Sequence, residues 1–276
     1  MGCYMTCAIS LNKDLNKQIQ KVVKIHMQKI IRMSTDKYIS KDRAIHQIRR
    51  RFKKLRSILH LLRYDLTETF FDKQNRLYKS YAKNFSSLRD QKVLIDVYFS
   101  IIRKYELEDT KYIQILESIQ EPITEIEISD IFKRVYLGIS DNLKNIKDYK
   151  FDKNTGRYFL KCVRKTYKQT KKLKNIATNN GDDADFHLWR KWVNYHWYQL
   201  HILQNSDTNR KHMLKQLANI LGDIHDITIF KEFLLTTKIS NIDKFLMFLN
   251  KEQDRLKQQA ITIGDELFDQ KAKELF

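Results

Sequence analysis

The sequence predicts an all-α protein, and three observations carry that prediction. Long segments of the 276 residues repeat their apolar side chains at the 3.6-residue period of amphipathic helices. One proline and six glycines leave few turn signals, and strands of alternating pattern are hard to find. The 42% hydrophobic content, with 15 Phe, 14 Tyr and 3 Trp, is enough to bury a core and argues against disorder. In chain order, helices are expected at about 11–33, 41–67, 71–84, 87–105, 109–120, 127–147, 154–177, 184–205, 209–221, 225–236 and 241–274.

The second of these carries the strongest pattern. Ile45, Ile48, Phe52, Leu55, Leu59 and Leu62 recur at alternating steps of three and four, a core-facing stripe. His46, Arg49, Lys53, Arg56, His60 and Arg63 follow the same steps one residue later. One residue is about 100° around a helix, so the basic row lies at the shoulder of the buried face. Like charges repel at every such step. A surface helix would normally intersperse glutamates there, so the row suggests a polyanion lying along it.

Pro122 and the acidic EPITEIEISD stretch separate a first set of helices from a second. The second set repeats the device. Leu160, Val163, Tyr167 and Thr170 form an inner stripe, bordered by Arg157, Lys161, Arg164, Lys168 and Lys171. Residues 41–63 hold nine Lys/Arg against one Asp, and residues 150–175 hold ten against one. These two stretches contain 17 of the 19 units of net positive charge, so the charge is concentrated on two helices. Asn179-Asn180-Gly181-Asp182-Asp183 is a loop, with Asp183 or Asp185 expected to cap the helix that follows. On that helix Phe186, Trp189, Val193, His196 and Leu200 take the inner stripe. His187, Arg190, Asn194, Trp197 and His201 take the row beside it.

The halves echo each other. His46-x-x-Arg49 and His187-x-x-Arg190 each open a long amphipathic helix. Leu88-Arg89-Asp90 and Leu221-Gly222-Asp223 follow downstream, each beside an apolar run. A duplicated helical bundle is expected, its repeated rows facing a shared cleft. The motifs IHQIRRRFKKLRSIL, SLRDQKVLIDVY, DFHLWRKWVNYHWYQL and LKQLANILGDIHDI, spread from about residue 13 to about 236, together resemble the CHAD domain, the conserved histidine α-helical domain.

The resemblance implies two four-helix bundles related by a pseudo-twofold, with a basic central groove. It implies one domain over 1–276, with half-bundles at about 11–120 and 127–240 and a C-terminal helix at about 241–274. It also implies binding of inorganic polyphosphate and association with polyphosphate granules, without a cofactor. The family's basic pattern maps onto His46, Arg49, Lys53, Lys54 and Arg56, and onto His187 and Arg190. Arg63, Arg89, Arg157, Lys161, Arg164, Lys168, Lys171 and Lys172 complete the expected contacts. Asn194, Tyr195 and Trp197 stand where the family usually carries more basic residues. The first row and the 157–172 helix are therefore expected to dominate binding.

Other classes fit less well. There is no Walker A loop, no acidic cluster for magnesium and no nucleophile paired with a base, so a non-catalytic binder is expected. Cys3, Cys7 and Cys162 are isolated thiols, and His187, His196, His201 and His225 lack the spacing of a zinc helix, so no metal is expected. His46 and His187 read as phosphate donors or as packing residues between the halves. Asp90 and Asp223 read as caps or as partners orienting nearby Arg and Lys, and the three Trp as core or interhelix contacts. No apolar run approaches the ~20 residues of a membrane span and no secretion signal is visible, so a cytoplasmic location is expected. The rival reading is a nucleic-acid-binding protein, since a pI of 9.7 suits that equally. A third is an enzyme acting on phosphorylated substrates.

Overall fold

The computed structural model describes residues 8–108, 111–119, 125–237, 239 and 242–272, with the backbone alone described at 86–90 and 125–127. Cys3 and Cys7, and the side chains of Arg89 and Asp90, lie outside that description. Ten α-helices and one 3₁₀ helix make up the described residues, which contain no strand. The helices are α1 (Leu15–Thr35), α2 (Lys41–Leu61), α3 (Glu68–Asn84), α4 (Ser86–Lys104) and α5 (Ile113–Ser118). They continue with α6 (Glu125–Asn142), α7 (Gly156–Asn180), α8 (Asp183–Ile202), α9 (Thr208–Thr236) and α10 (Asp243–Phe268). The 3₁₀ helix, Leu143–Asp148, follows α6 directly.

Local chemistry sets several of these ends. Asp14 and Asp207 accept from the first backbone N–H groups of α1 and α9. Thr67 and Thr155 do the same for α3 and α7, satisfying donors that the helix itself leaves open. Gly181 ends α7 in the left-handed region at φ 75°, a conformation that costs other residues a Cβ clash. The cap of α8 is Asp182, not Asp183 or Asp185. Asp183 lies inside the first turn, where Lys257 of α10 pairs with it at 2.6 Å and Thr228 of α9 donates to it.

Two expected helices, 209–221 and 225–236, are one. α9 runs through Gly222 without a break. A glycine within a helix costs about 1 kcal/mol relative to alanine, which packing on both sides offsets. Here a Cβ would come within 3.4 Å of the Arg190 guanidinium, so Gly222 is where α8's arginine approaches α9.

α2 packs against α1 and α3, and α1 also packs against α6. Sequence position had placed α6 in the second half, beyond Pro122. Its packing partner is α1, and Gln74 of α3 exchanges hydrogen bonds with its Asn142 at 2.9 and 2.7 Å. Further along the chain, α7 packs on α8, α8 on α9, α9 on α10, and α10 returns to α7. The join between these groups is α2 on α8, supported by α4 on α9.

The core stripes fall where the periodicity put them. Ile45, Ile48, Phe52, Leu55, Leu59 and Leu62 are all buried, as are Val163, Tyr167 and Thr170. Trp189 is fully buried and touches α10 at Gly264, where a Cβ would stand 2.8 Å from its ring. We predict that Gly264→Val costs about 2 kcal/mol through overpacking of this contact, read as a lower urea midpoint at unchanged m-value.

Candidate functional site

The two His-x-x-Arg helices meet at a cleft of about 1060 Å³ walled by α2, α4, α8, α9 and α10. From α2 the cleft receives His46, Arg49, Arg50 and Lys53, and from α8 it receives Arg190. Steps of three and four put the α2 residues on one face. Arg49 and Lys53 are half-buried, the shoulder position that the one-residue offset predicts, whereas Arg50 is exposed. Arg49 donates to the carbonyl of Ala82 near the C-terminal end of α3 at 2.8 Å, which fixes its fork.

Sequence reasoning missed other residues of this cleft. Arg50 lies one position beyond the row, and Lys92, Lys215 and Arg255 come from α4, α9 and α10. Single cations on separate helices form no basic row, so only their convergence marks them as cleft residues. An acidic contribution was missed as well, in Asp42, Asp96, Asp226 and Glu252. Asp223 also lines the cleft, and it is neither a cap nor at a helix end, but lies in mid-α9 near Arg190.

The remaining predicted contacts lie elsewhere. Lys54 stands 5.7 Å over the ring of Tyr198 and does not line the cleft. Arg56 donates to Asn75 at 3.0 Å and faces the Tyr195 ring. Arg63 pairs with Glu68 at 3.6 Å and lies 4.2 Å from the centre of the Phe71 ring. Among the described residues lining the cleft, none comes from α7. Arg157, Lys161, Lys168 and Lys172 are exposed on that helix, whereas Arg164 and Lys171 are half-buried. A one-residue offset fixes each row against its own core stripe, but not the rotation of one helix about another.

The histidines divide by environment. His46 is exposed at the cleft. His187 instead packs against His225, the rings tilted with centres 4.0 Å apart, and burial followed by Lys191 and Arg190 lowers it to about 4. It is neutral near pH 7 and brings no charge to an anion. His60 is also neutral, lowered to about 3 by burial and by Arg56 and Arg63. It packs against Phe71, Trp192 and Tyr195, so the basic row is interrupted there. Burial pushes the Cys162 thiol up to about 12, which leaves no thiolate at neutral pH. Among the described residues, no group of three His, Cys, Asp or Glu is placed to hold a metal ion. None of their helices is long and apolar enough to cross a membrane.

Asp223 sets the acidic side of the cleft. Asp223 is exposed to solvent on the cleft side, yet desolvation by the surrounding helices, then Asp226 and Glu252 against the opposing effect of Arg190, raise its carboxyl from 3.8 to about 6. The folded state therefore binds this proton more tightly than the unfolded state. The associated stability is present below the unfolded value and is lost as pH rises through about 6. We predict that Asp223→Asn raises the Tm above pH 6 and leaves it unchanged below pH 4, as thermal melts across pH will show. A higher Tm of the same size at both ends of that range would contradict this.

No curated protein matches the chain. The family model described as the CHAD domain matches residues 31–235, which include α2, α8 and nearly all of α9. This chain belongs to the CHAD domain family.

Proposed function

We propose that the cleft binds inorganic polyphosphate without chemically altering it, and that the protein associates through it with polyphosphate granules. The convergence of Arg49, Arg50 and Lys53 from α2 with Arg190 from α8 and Lys215 from α9 carries this reading. Membership of a family associated with polyphosphate binding supports it. A linear polyphosphate has neither bases nor sugars, so it requires only spaced positive charge along a groove. Arginine contributes a planar fork for two phosphate oxygens and lysine a mobile point charge, each bond worth about 1.5–3 kcal/mol. The pseudo-twofold pairing of an α1–α3, α6 bundle with the α7–α10 bundle belongs to the same proposal. It would make α2 and α8 equivalent helices that share one groove. The row on α7 is proposed as surface charge that attracts the polyanion from outside the cleft.

Nucleic acid is the second reading, and one observation favours it. Tyr64 is 65% exposed with the Lys165 ammonium 3.6 Å from its ring centre, a pairing that suits base stacking beside a phosphate. A competition titration at physiological salt separates the two. Polyphosphate should displace RNA of equal charge from the protein, and displacement only in the opposite sense would establish the nucleic-acid reading.

The site itself is tested by reversing charge at two places. Arg49→Glu with Arg190→Glu should weaken polyphosphate binding by about 3 kcal/mol or more, roughly a hundredfold. Lys244→Glu with Lys251→Glu on α10 changes net charge equally and should have little effect. Equal losses would mean that overall charge alone governs binding.

A further inference from the structure

α7 carries eight Lys or Arg over Gly156–Asn180 and no Asp or Glu. Its flanks use that charge differently. On the flank toward α10, Lys171 donates to the Asp269 carbonyl at 3.3 Å and Lys174 pairs with Asp265. Lys161, Lys165, Lys168 and Lys172 recur at steps of four, three and four, which puts them on one face over about 16 Å of helix. Among the described residues no carboxylate pairs with any of these four. Like charges at these steps repel, a cost that a bound polyanion would remove.

An aromatic ring lies against this row. Tyr64, in the turn after α2, is 65% exposed, and the Lys165 ammonium stands 3.6 Å from its ring centre. Nearer the start of α7, Lys161 stands 5.9 Å from the centre of the Tyr158 ring. Two acids, Asp65 and Asp152, lie together at that end, where Asp65 accepts from the Tyr158 hydroxyl at 2.5 Å. The positive charge is therefore least opposed from Lys165 to Lys172. Neither Tyr64 nor any of the four lysines lines the cleft. A bilayer would need apolar side chains to insert, and no large hydrophobic side chain of α7 is exposed. Polyphosphate has no flat group to lie on an open ring. A single-stranded nucleic acid has both the phosphates and the unpaired bases, and stacking accepts any base because each has a π-face.

We propose that this face of α7, together with Tyr64, is a separate binding site for single-stranded nucleic acid. Tyr64 stacks on a base while Lys165, Lys168 and Lys172 contact the phosphates that follow. The site lies outside the cleft and goes beyond the polyphosphate reading, on which it does not depend.

Fluorescence anisotropy on the whole protein tests it, with labelled oligo(U), oligo(dT) and an abasic oligonucleotide of equal length. The tighter of the first two identifies RNA or DNA as the source, and equal affinity means that the site takes both. The abasic strand should bind about tenfold more weakly, the loss of one stacked base. Tyr64→Ala should weaken the base-bearing strands about tenfold, leave the abasic strand and tripolyphosphate unchanged, and be rescued by Tyr64→Phe. Lys168→Gln with Lys172→Gln should lower the slope of log affinity against log salt by about 1.4. All three positions are exposed, so the fold is kept. The site is overturned if Tyr64→Ala spares the oligonucleotides or weakens tripolyphosphate equally, or if the abasic strand binds as tightly. It is also overturned if Arg49→Glu with Arg190→Glu, and not the α7 variants, abolishes oligonucleotide binding, since the strand then lies in the cleft. Wild-type protein that binds oligonucleotide but no polyphosphate overturns the polyphosphate reading and leaves this site standing.

Discussion

The crossing of α2 over α8 is the contact on which the rest depends. It is apolar on both sides, yet a pair of buried polar bonds runs through it. Ser57 donates to the Tyr195 carbonyl at 2.8 Å, and Gln199 donates to the Ser57 carbonyl at 3.2 Å. Ser57 is 1% exposed and Gln199 fully buried. Shifting either helix by a turn would leave such groups without partners, at about 1–3 kcal/mol each. The bonds therefore pin the register of one helix on the other. Arg49 and Arg190 are consequently held at one cleft, not on separate surfaces.

Around that crossing the protein separates charge from packing with some economy. Aromatic rings and neutral histidines fill the positions where cations would otherwise be desolvated. His60 packs with Trp192 and Tyr195, and His187 with His225. The residues that keep their charge are those with a guanidinium or ammonium head long enough to reach the cleft or the outer surface. Lys191 shows the cost of this crowding. Its ammonium is pushed below its ordinary range by burial, then by Arg56, Lys79 and Arg190. A polyanion lying near these residues would relieve the repulsion. Acids line the cleft as well, at Asp42, Asp96, Asp223, Asp226 and Glu252, and Glu252 is paired with Lys104 and Arg255.

Much of the fold was legible in the sequence because it rests on local periodicity. The stripe from Ile45 to Leu62 is buried at every position expected, and the basic row sits on its shoulder. The break between α7 and α8 was legible, but the expected loop from Asn179 to Asp183 shrinks to Gly181 and Asp182, because Asn179 and Asn180 continue α7 and Asp183 opens α8. The break expected near Gly222 is absent because packing against Arg190 overrides a local propensity of about 1 kcal/mol. The candidate site was only half legible. Arg49, Lys53 and Arg190 could be found from their motifs, whereas Arg50 lies off the row and Lys92, Lys215 and Arg255 belong to no basic row.

The sequence by itself determined the all-α class, the core stripes, the concentration of positive charge on two helices and the family. Each of these is a property of one segment or of an ordered set of motifs, and needs no knowledge of how helices rotate against one another. Tertiary structure alone decided that His46, Arg49 and Lys53 of the α2 row face the cleft while Arg56, Arg63 and the α7 row do not, that α6 packs against α1, and that His60 and His187 are neutral. Rotation about a helix axis and depth of burial are set by the partner helix. That information is distributed across residues more than a hundred positions apart, as Ser57 and Tyr195 are.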